Sequence, residues 1–146
     1  MMRTWDGQPI APEPPFGATV VVYRRMDAGV EYLLLHRAHE GPEYEGDWAW
    51  TPPSGARHPG EPIDGCAARE LFEEAGLRAD IRMVSAATAE WAVFVAEVPA
   101  DALVTLHDVE HDRFEWVWID EALARCKPRT VADGVALAAR SIGDFA

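Results

Sequence analysis

The spacing of hydrophobic and polar positions changes several times along the chain, and each change marks an element. From Gly17 to Arg25 the run GATVVVYRR is rich in β-branched residues and reads as a strand. MDAG supplies a turn, and VEYLLLHRA, from Val30 to Ala38, reads as the hairpin partner. Glu40 to Asp47 is a polar loop, and the short apolar WAW that follows is cut off by Pro52 and Pro53. Gly55 to Pro62 reads as another loop. Ala68, Leu71, Phe72 and Ala75 then recur at the spacing of a buried helical stripe, with Pro62 suited to the first turn and Gly76 to a left-handed end.

Two strands are predicted over ADIRMVSAAT and EWAVFVAEV, and a last one over RFEWVWI, where Phe114, Trp116 and Trp118 alternate as one core face. Asp120 and Thr130 are suited to cap two closing helices, the second carrying Val131, Val135, Ala138 and Ile142 as its apolar stripe. Residues 1 to 15, with Pro9, Pro12, Pro14 and Pro15, read as an extended arm, and residues 16–146 as one domain. Strand groups on either side of a central helix predict an α+β class, with a mixed sheet between helical layers.

Composition narrows the functions available. At 146 residues, 49% of them apolar, the chain can bury one core. A net charge of −12 argues against general nucleic-acid binding, which needs a basic surface. No signal-peptide pattern or membrane-length apolar run is present, and Cys66 and Cys126 lack framework or metal spacing. A cytoplasmic protein with two reduced, buried cysteines is expected.

The helix raises a physical question. In RELFEEAGL, Glu70, Glu73 and Glu74 crowd one patch opposite the apolar stripe, with Arg69 beside them. Like charges at that spacing repel, and a face that is merely solvated usually intersperses lysines. A hard divalent cation turns the crowding into a binding site, because Mg²⁺ takes carboxylate oxygens.

The wider window carries a family pattern. From Gly55 there are five residues to Glu61, seven more to Arg69, then Glu70, apolar Leu71, Glu73, Glu74, Gly76 and Leu77. This 23-residue segment resembles the box of the Nudix hydrolases. The resemblance implies a Nudix fold, an α/β/α sandwich, with Mg²⁺ or Mn²⁺ held by the box helix. It makes Glu70, Glu73 and Glu74 metal ligands, Glu70 also a base, Arg69 an orienting partner and Gly55 a point of backbone access. Glu61 is expected to support the loop.

Further segments, among them WTPPSG and EHDRFEW, resemble the asymmetrically cleaving diadenosine tetraphosphate hydrolases over about Ala18 to Ala124. In that branch a Glu-His pair supplies another site carboxylate, which Glu110 matches, with His111 after it. Ser54 stands where the branch usually has lysine, and the segment after the box is short and lacks basic residues. Arg57 and Ser54 are therefore candidate substrate contacts, with Trp48 and Tyr44 as candidate stacking groups. The remaining tryptophans are expected in the core.

The expected activity is metal-dependent cleavage of a nucleoside diphosphate linked to another group. Dinucleoside polyphosphates lead, ahead of nucleoside triphosphates and sugar nucleotides. A non-catalytic nucleotide sensor and an mRNA-cap hydrolase are the alternatives. The partner is a nucleotide or other diphosphate-containing small molecule, with neither nucleic acid nor membrane.

Overall fold

The computed structural model describes residues 2–4, 6–85 and 89–145. Seven strands form a single mixed sheet. β1 (Gly17–Met26) and β2 (Gly29–Arg37) form the expected hairpin, but they pair only between Tyr23–Met26 and Gly29–Tyr32. Beyond that the two strands part. β3 (Trp50–Thr51) takes over pairing with β2 at Leu35 and His36, and β4 (Ser54–Ala56) pairs with β1 at Gly17–Thr19. β4 lies inside the segment read from sequence as a loop; its three residues are ordered by a partner some 35 positions away, which local pattern does not encode.

α1 (Ile63–Ala75) follows, with Pro62 just outside it as N-cap. It ends at Gly76, whose φ of 69° and N–H bond to the Phe72 carbonyl make the expected left-handed cap. β5 is only Arg82–Met83, much shorter than the strand expected there, and the end of that segment, Ala86–Thr88, lies outside the described residues. β6 (Trp91–Glu97) runs parallel to β1, and β7 (His111–Val117) pairs antiparallel with the far edge of β2.

α2 (Ile119–Arg125) and α3 (Arg129–Ser141) close the chain. Their N-caps are Trp118 and Pro128, so Asp120 and Thr130 lie inside the first turns and do not cap them. Among the described residues no helix is long and apolar enough to cross a membrane.

Both faces of the sheet are covered, as strand alternation requires. Ala18, Val20, Val22, Leu33, Leu35 and Phe94 pack against Cys66, Ala67, Leu71 and Ala75 of α1. Val21, Tyr23, Tyr32, Leu34 and Val95 point the other way, onto Ala122 of α2 and Val135, Ala138 and Ala139 of α3. An α+β sandwich with a mixed central sheet results. Cys66 and Cys126 are buried free thiols, as expected, and burial pushes both up to about 12.

The tryptophans divide differently from expectation. Trp50 is fully buried, and Trp116 is partly buried beneath the Arg24 guanidinium. Trp118, expected in the core, is 41% exposed, because the strand ends at Val117 and the side chain turns out over Gly29.

Candidate functional site

The splayed hairpin sets the site's geometry. By pairing with β1, β4 lays Ser54 and Gly55 directly against α1. The Ser54 amide donates to Glu74 Oε1 at 2.8 Å, and a Cβ on Gly55 would overlap the Glu70 carboxylate. Gly55 is needed here for close approach.

The helix does not divide into an apolar face and an acidic face, as its sequence suggests. Its buried residues are Cys66, Ala67, Glu70, Leu71, Glu74 and Ala75, while Ala68 and Phe72 are exposed. Glu70 and Glu74 are only 8% and 5% accessible, and Glu73 alone of the three faces solvent. The i, i+4 spacing of Glu70 and Glu74 places them on one row, and the β4 backbone covers that row.

Arg69 ties the acids together. Its guanidinium donates to Glu61 through Nε and Nη2, to Glu70 and Glu73 through Nη1 at 2.7 and 3.0 Å, and to the Ala56 carbonyl. Glu61 also accepts from the His58 amide, so it supports the loop, in keeping with expectation. Burial tends to raise the Glu61 carboxyl, but bonds from Arg69 and His58 hold it below the usual carboxylate range.

Glu70 behaves in the opposite way. Burial raises it to about 7, assisted by Glu73 and Glu110 and only partly offset by Arg69. Glu74 lies well above its ordinary value, first from burial and then from the charges of Glu70, Glu110 and Asp108.

The opposite wall comes from the connection into β7. Thr105 N–H bonds to the Ala75 carbonyl, and Ala38 N–H to that of Glu110, so the connection is pinned at the end of α1 and the end of β2. Glu74, Asp108, Glu110 and His111 each offer a ligand atom, and these atoms lie within 4.8 Å of one another. Burial holds the His111 imidazole below its usual range despite the nearby Asp108 and Glu110. A largely neutral imidazole has a free lone pair for a metal.

Of the expected acids, Glu74 and Glu110 join this cluster, whereas Glu70 and Glu73 are engaged by Arg69. Asp108 was not predicted and His111 was noted without a role. Both sit around an irregular stretch without periodicity, and the D-x-E-H spacing is the only local signal.

These acids line a cavity of about 610 Å³. Its rim carries the Phe72 and His107 rings, 5.9 Å apart, and Thr4, Asp6 and Gln8 of the N-terminal arm. Arg57, expected at the substrate, is instead buried behind the arm. It spends its guanidinium on the carbonyls of Glu13, Pro15 and Glu61 and on the Glu13 carboxylate. These four bonds engage most of the guanidinium's five N–H donors, and Arg57 does not line the acidic cavity.

Trp48 and Tyr44 line a second cavity, of about 850 Å³, and Glu110 borders both.

The NUDIX domain family matches residues 14–137. Over 127 residues the chain is 35% identical to an octanoyltransferase of Myxococcus xanthus; the match covers 79% of this chain but 34% of that protein, so the chain spans about a third of its length. It is 28% identical over 121 residues to the asymmetrical bis(5'-nucleosyl)-tetraphosphatase of Sus scrofa, covering 70% of this chain and 78% of the relative. Among solved structures, a binary complex of the C. elegans Ap4A hydrolase superposes with a TM-score of 0.67 at 23% identity, covering 88% of this chain and 98% of that one.

Proposed function

Since this chain belongs to the Nudix hydrolase family, we propose that it is a divalent-metal-dependent pyrophosphohydrolase. It cleaves a nucleoside diphosphate linked to another moiety, with dinucleoside polyphosphates as first choice. The observation that carries the reading is the convergence of Glu74, Asp108, Glu110 and His111 within 4.8 Å, beside a buried Glu70. The tetraphosphatase relatives support the substrate order.

The donor set fits a divalent ion: the three carboxylates suit Mg²⁺ or Mn²⁺, and the imidazole favours the transition ion of the two. Glu74, Asp108, Glu110 and His111 would hold it, with Glu70 and Glu73 at its approach. When bound, the cation offsets phosphate charge and makes water a competent nucleophile near neutral pH.

This chain's own residues do the rest. Glu70, raised to about 7, is poised to take a proton from the attacking water at physiological pH. Arg69 holds the Glu70 carboxylate in place at 2.7 Å, while Gly55 leaves room for it. The Ser54 amide orients Glu74.

The test is a hydrolysis screen with Mg²⁺ or Mn²⁺ over dinucleoside polyphosphates, nucleoside triphosphates and sugar nucleotides, with products identified by mass. Metal-dependent release of two phosphorylated products, fastest from a dinucleoside polyphosphate, is expected. Binding of all three classes without product would replace the hydrolase with a nucleotide sensor.

A further inference from the structure

The second cavity holds one arginine, Arg37, and three acids, Glu40, Asp47 and Glu110, none of which forms an ion pair or hydrogen bond with it among the described residues. Arg37 sits at the end of β2, where a bulge between His36 and Arg37 shifts the register and sets Arg37 opposite His111 of the acidic cluster. Its Nε is buried with no hydrogen-bond partner. Among the described residues, the other arginines each have a polar partner or an aromatic ring beneath them: Arg78 covers Phe72 and Arg140 covers Phe145, for example. Arg37 has neither. A buried donor left unpaired is costly, so Arg37 Nε offers an N–H that a ligand entering the cavity can satisfy.

The rest of the cavity says what that ligand carries. Trp48 is 49% exposed and lies in the left-handed region at φ 66°, an arrangement that costs a bulky residue free energy. It is held there, because its N–H bonds to the Lys127 carbonyl at 2.6 Å. The loop before it is equally fixed. The Tyr44 carbonyl meets His36 Nε2 at 2.7 Å, the Tyr44 hydroxyl donates to the Asp47 carbonyl, and Trp50 Nε1 donates to Glu45. A strained, exposed indole on a rigid loop is a pre-organised surface for a flat ring. Val109, 85% exposed, adds apolar area to the same cavity.

Resting on the hydrolase reading, we infer that Arg37 and Trp48 form the subsite for the half of the substrate that points away from the arm. Arg37 takes a phosphate beyond the scissile linkage, and Trp48 stacks on the base attached to it. Glu110, which borders both cavities, marks where the two halves of the substrate meet. The chemical class is a nucleoside polyphosphate with at least one phosphate between the cleaved bond and the base. A planar guanidinium fork suits phosphate oxygens, and an aromatic face suits any base.

The test compares wild type, Arg37→Ala, Arg37→Lys and Trp48→Ala for equilibrium binding of two probes without turnover. The probes are inorganic pyrophosphate and a methylene-bridged, non-hydrolysable adenosine polyphosphate. Arg37→Ala is expected to weaken both by roughly tenfold to a hundredfold, and Arg37→Lys by less. Trp48→Ala is expected to weaken only the nucleotide, by about fivefold to a hundredfold. In hydrolysis, both losses should appear in KM with kcat within about twofold.

Wild-type affinity for both probes in Arg37→Ala would overturn the subsite, as would an equal loss of both probes in Trp48→Ala. Arg37→Lys guards against misfolding: folded as wild type, it should bind pyrophosphate with an affinity between those of wild type and Arg37→Ala, and full wild-type affinity would overturn the role of the guanidinium fork. The two readings fail separately. A wild type that binds nucleotide and releases nothing removes the hydrolase, whereas active hydrolysis with undiminished Arg37→Ala affinity removes the subsite.

Discussion

α1 and α3 are each 13 residues long and pack on opposite faces of one sheet, yet they bury different chemistry. α3 inserts Val135, Ala136, Ala138 and Ala139 and leaves its charges outside. α1 inserts Leu71 and small residues, but also Glu70 and Glu74. Removing a carboxylate from water costs free energy unless it is paired or protonated, and here both acids respond by holding their protons more tightly. One helix buries only apolar side chains; the other also buries two acids, Glu70 beside Arg69 and Glu74 in the acidic cluster.

Neutralising α1 is the most severe way to break this contrast. Glu70→Gln should lower turnover by roughly 10²- to 10⁴-fold in a metal-dependent hydrolysis assay. Its thermal midpoint should stay level or rise, because Arg69 keeps Glu61 and Glu73 as partners. Retained turnover would refute the assignment of Glu70 as base.

Making α3 resemble α1 is the converse. Ala138→Glu puts a carboxylate at a fully buried position with no arginine bonded beside it among the described residues, so denaturant melts should lose about 3–5 kcal/mol. A fold that tolerated the change would mean that acid burial is cheap throughout this protein.

A bound cation should recover what α1 gives up. Titrating Mg²⁺ or Mn²⁺ to about a hundred times its dissociation constant should stabilise wild type by about 2.7 kcal/mol in melting experiments. Glu74→Gln should lose most of that gain while the metal-free protein is no less stable.

The smallest effect is on pH dependence. The folded Glu70 carboxyl, at about 7, binds a proton that the unfolded chain releases near 4.5. Between those values the native state holds more protons, so this group's contribution to stability falls as pH rises and levels off above about 7. Stability curves of wild type minus Glu70→Gln should therefore slope downward across that window, by on the order of 1–3 kcal/mol. A flat difference would mean that Glu70 ionises normally.

The same contrast explains what the sequence made legible. α3's stripe of Val131, Val135, Ala138 and Ile142 follows from period alone, and so do the β1 and β2 strands. α1's ends, Pro62 and Gly76, are local signals and were placed within a residue of where they lie. Its buried face was misread, because period assigns acids to solvent and the covering strand β4 is created by distant pairing with β1. Arg57 looked like a phosphate ligand because charge counts say nothing of orientation, and the arm's carbonyls claim it. Asp108 is brought to the acidic cluster by the chain's irregular connection, and Arg37 is set opposite His111 by a bulge. Neither feature has a period to read.

Gly55 and Glu70 occupy one volume between them, with no space for a further methyl group. Substitutions at the two positions are thus not independent events. A larger residue at Gly55 would push aside the end of the Glu70 side chain and break its bond from Arg69, displacing the proposed proton acceptor. Strand and helix thus meet at a contact where one position's size sets the other's reach.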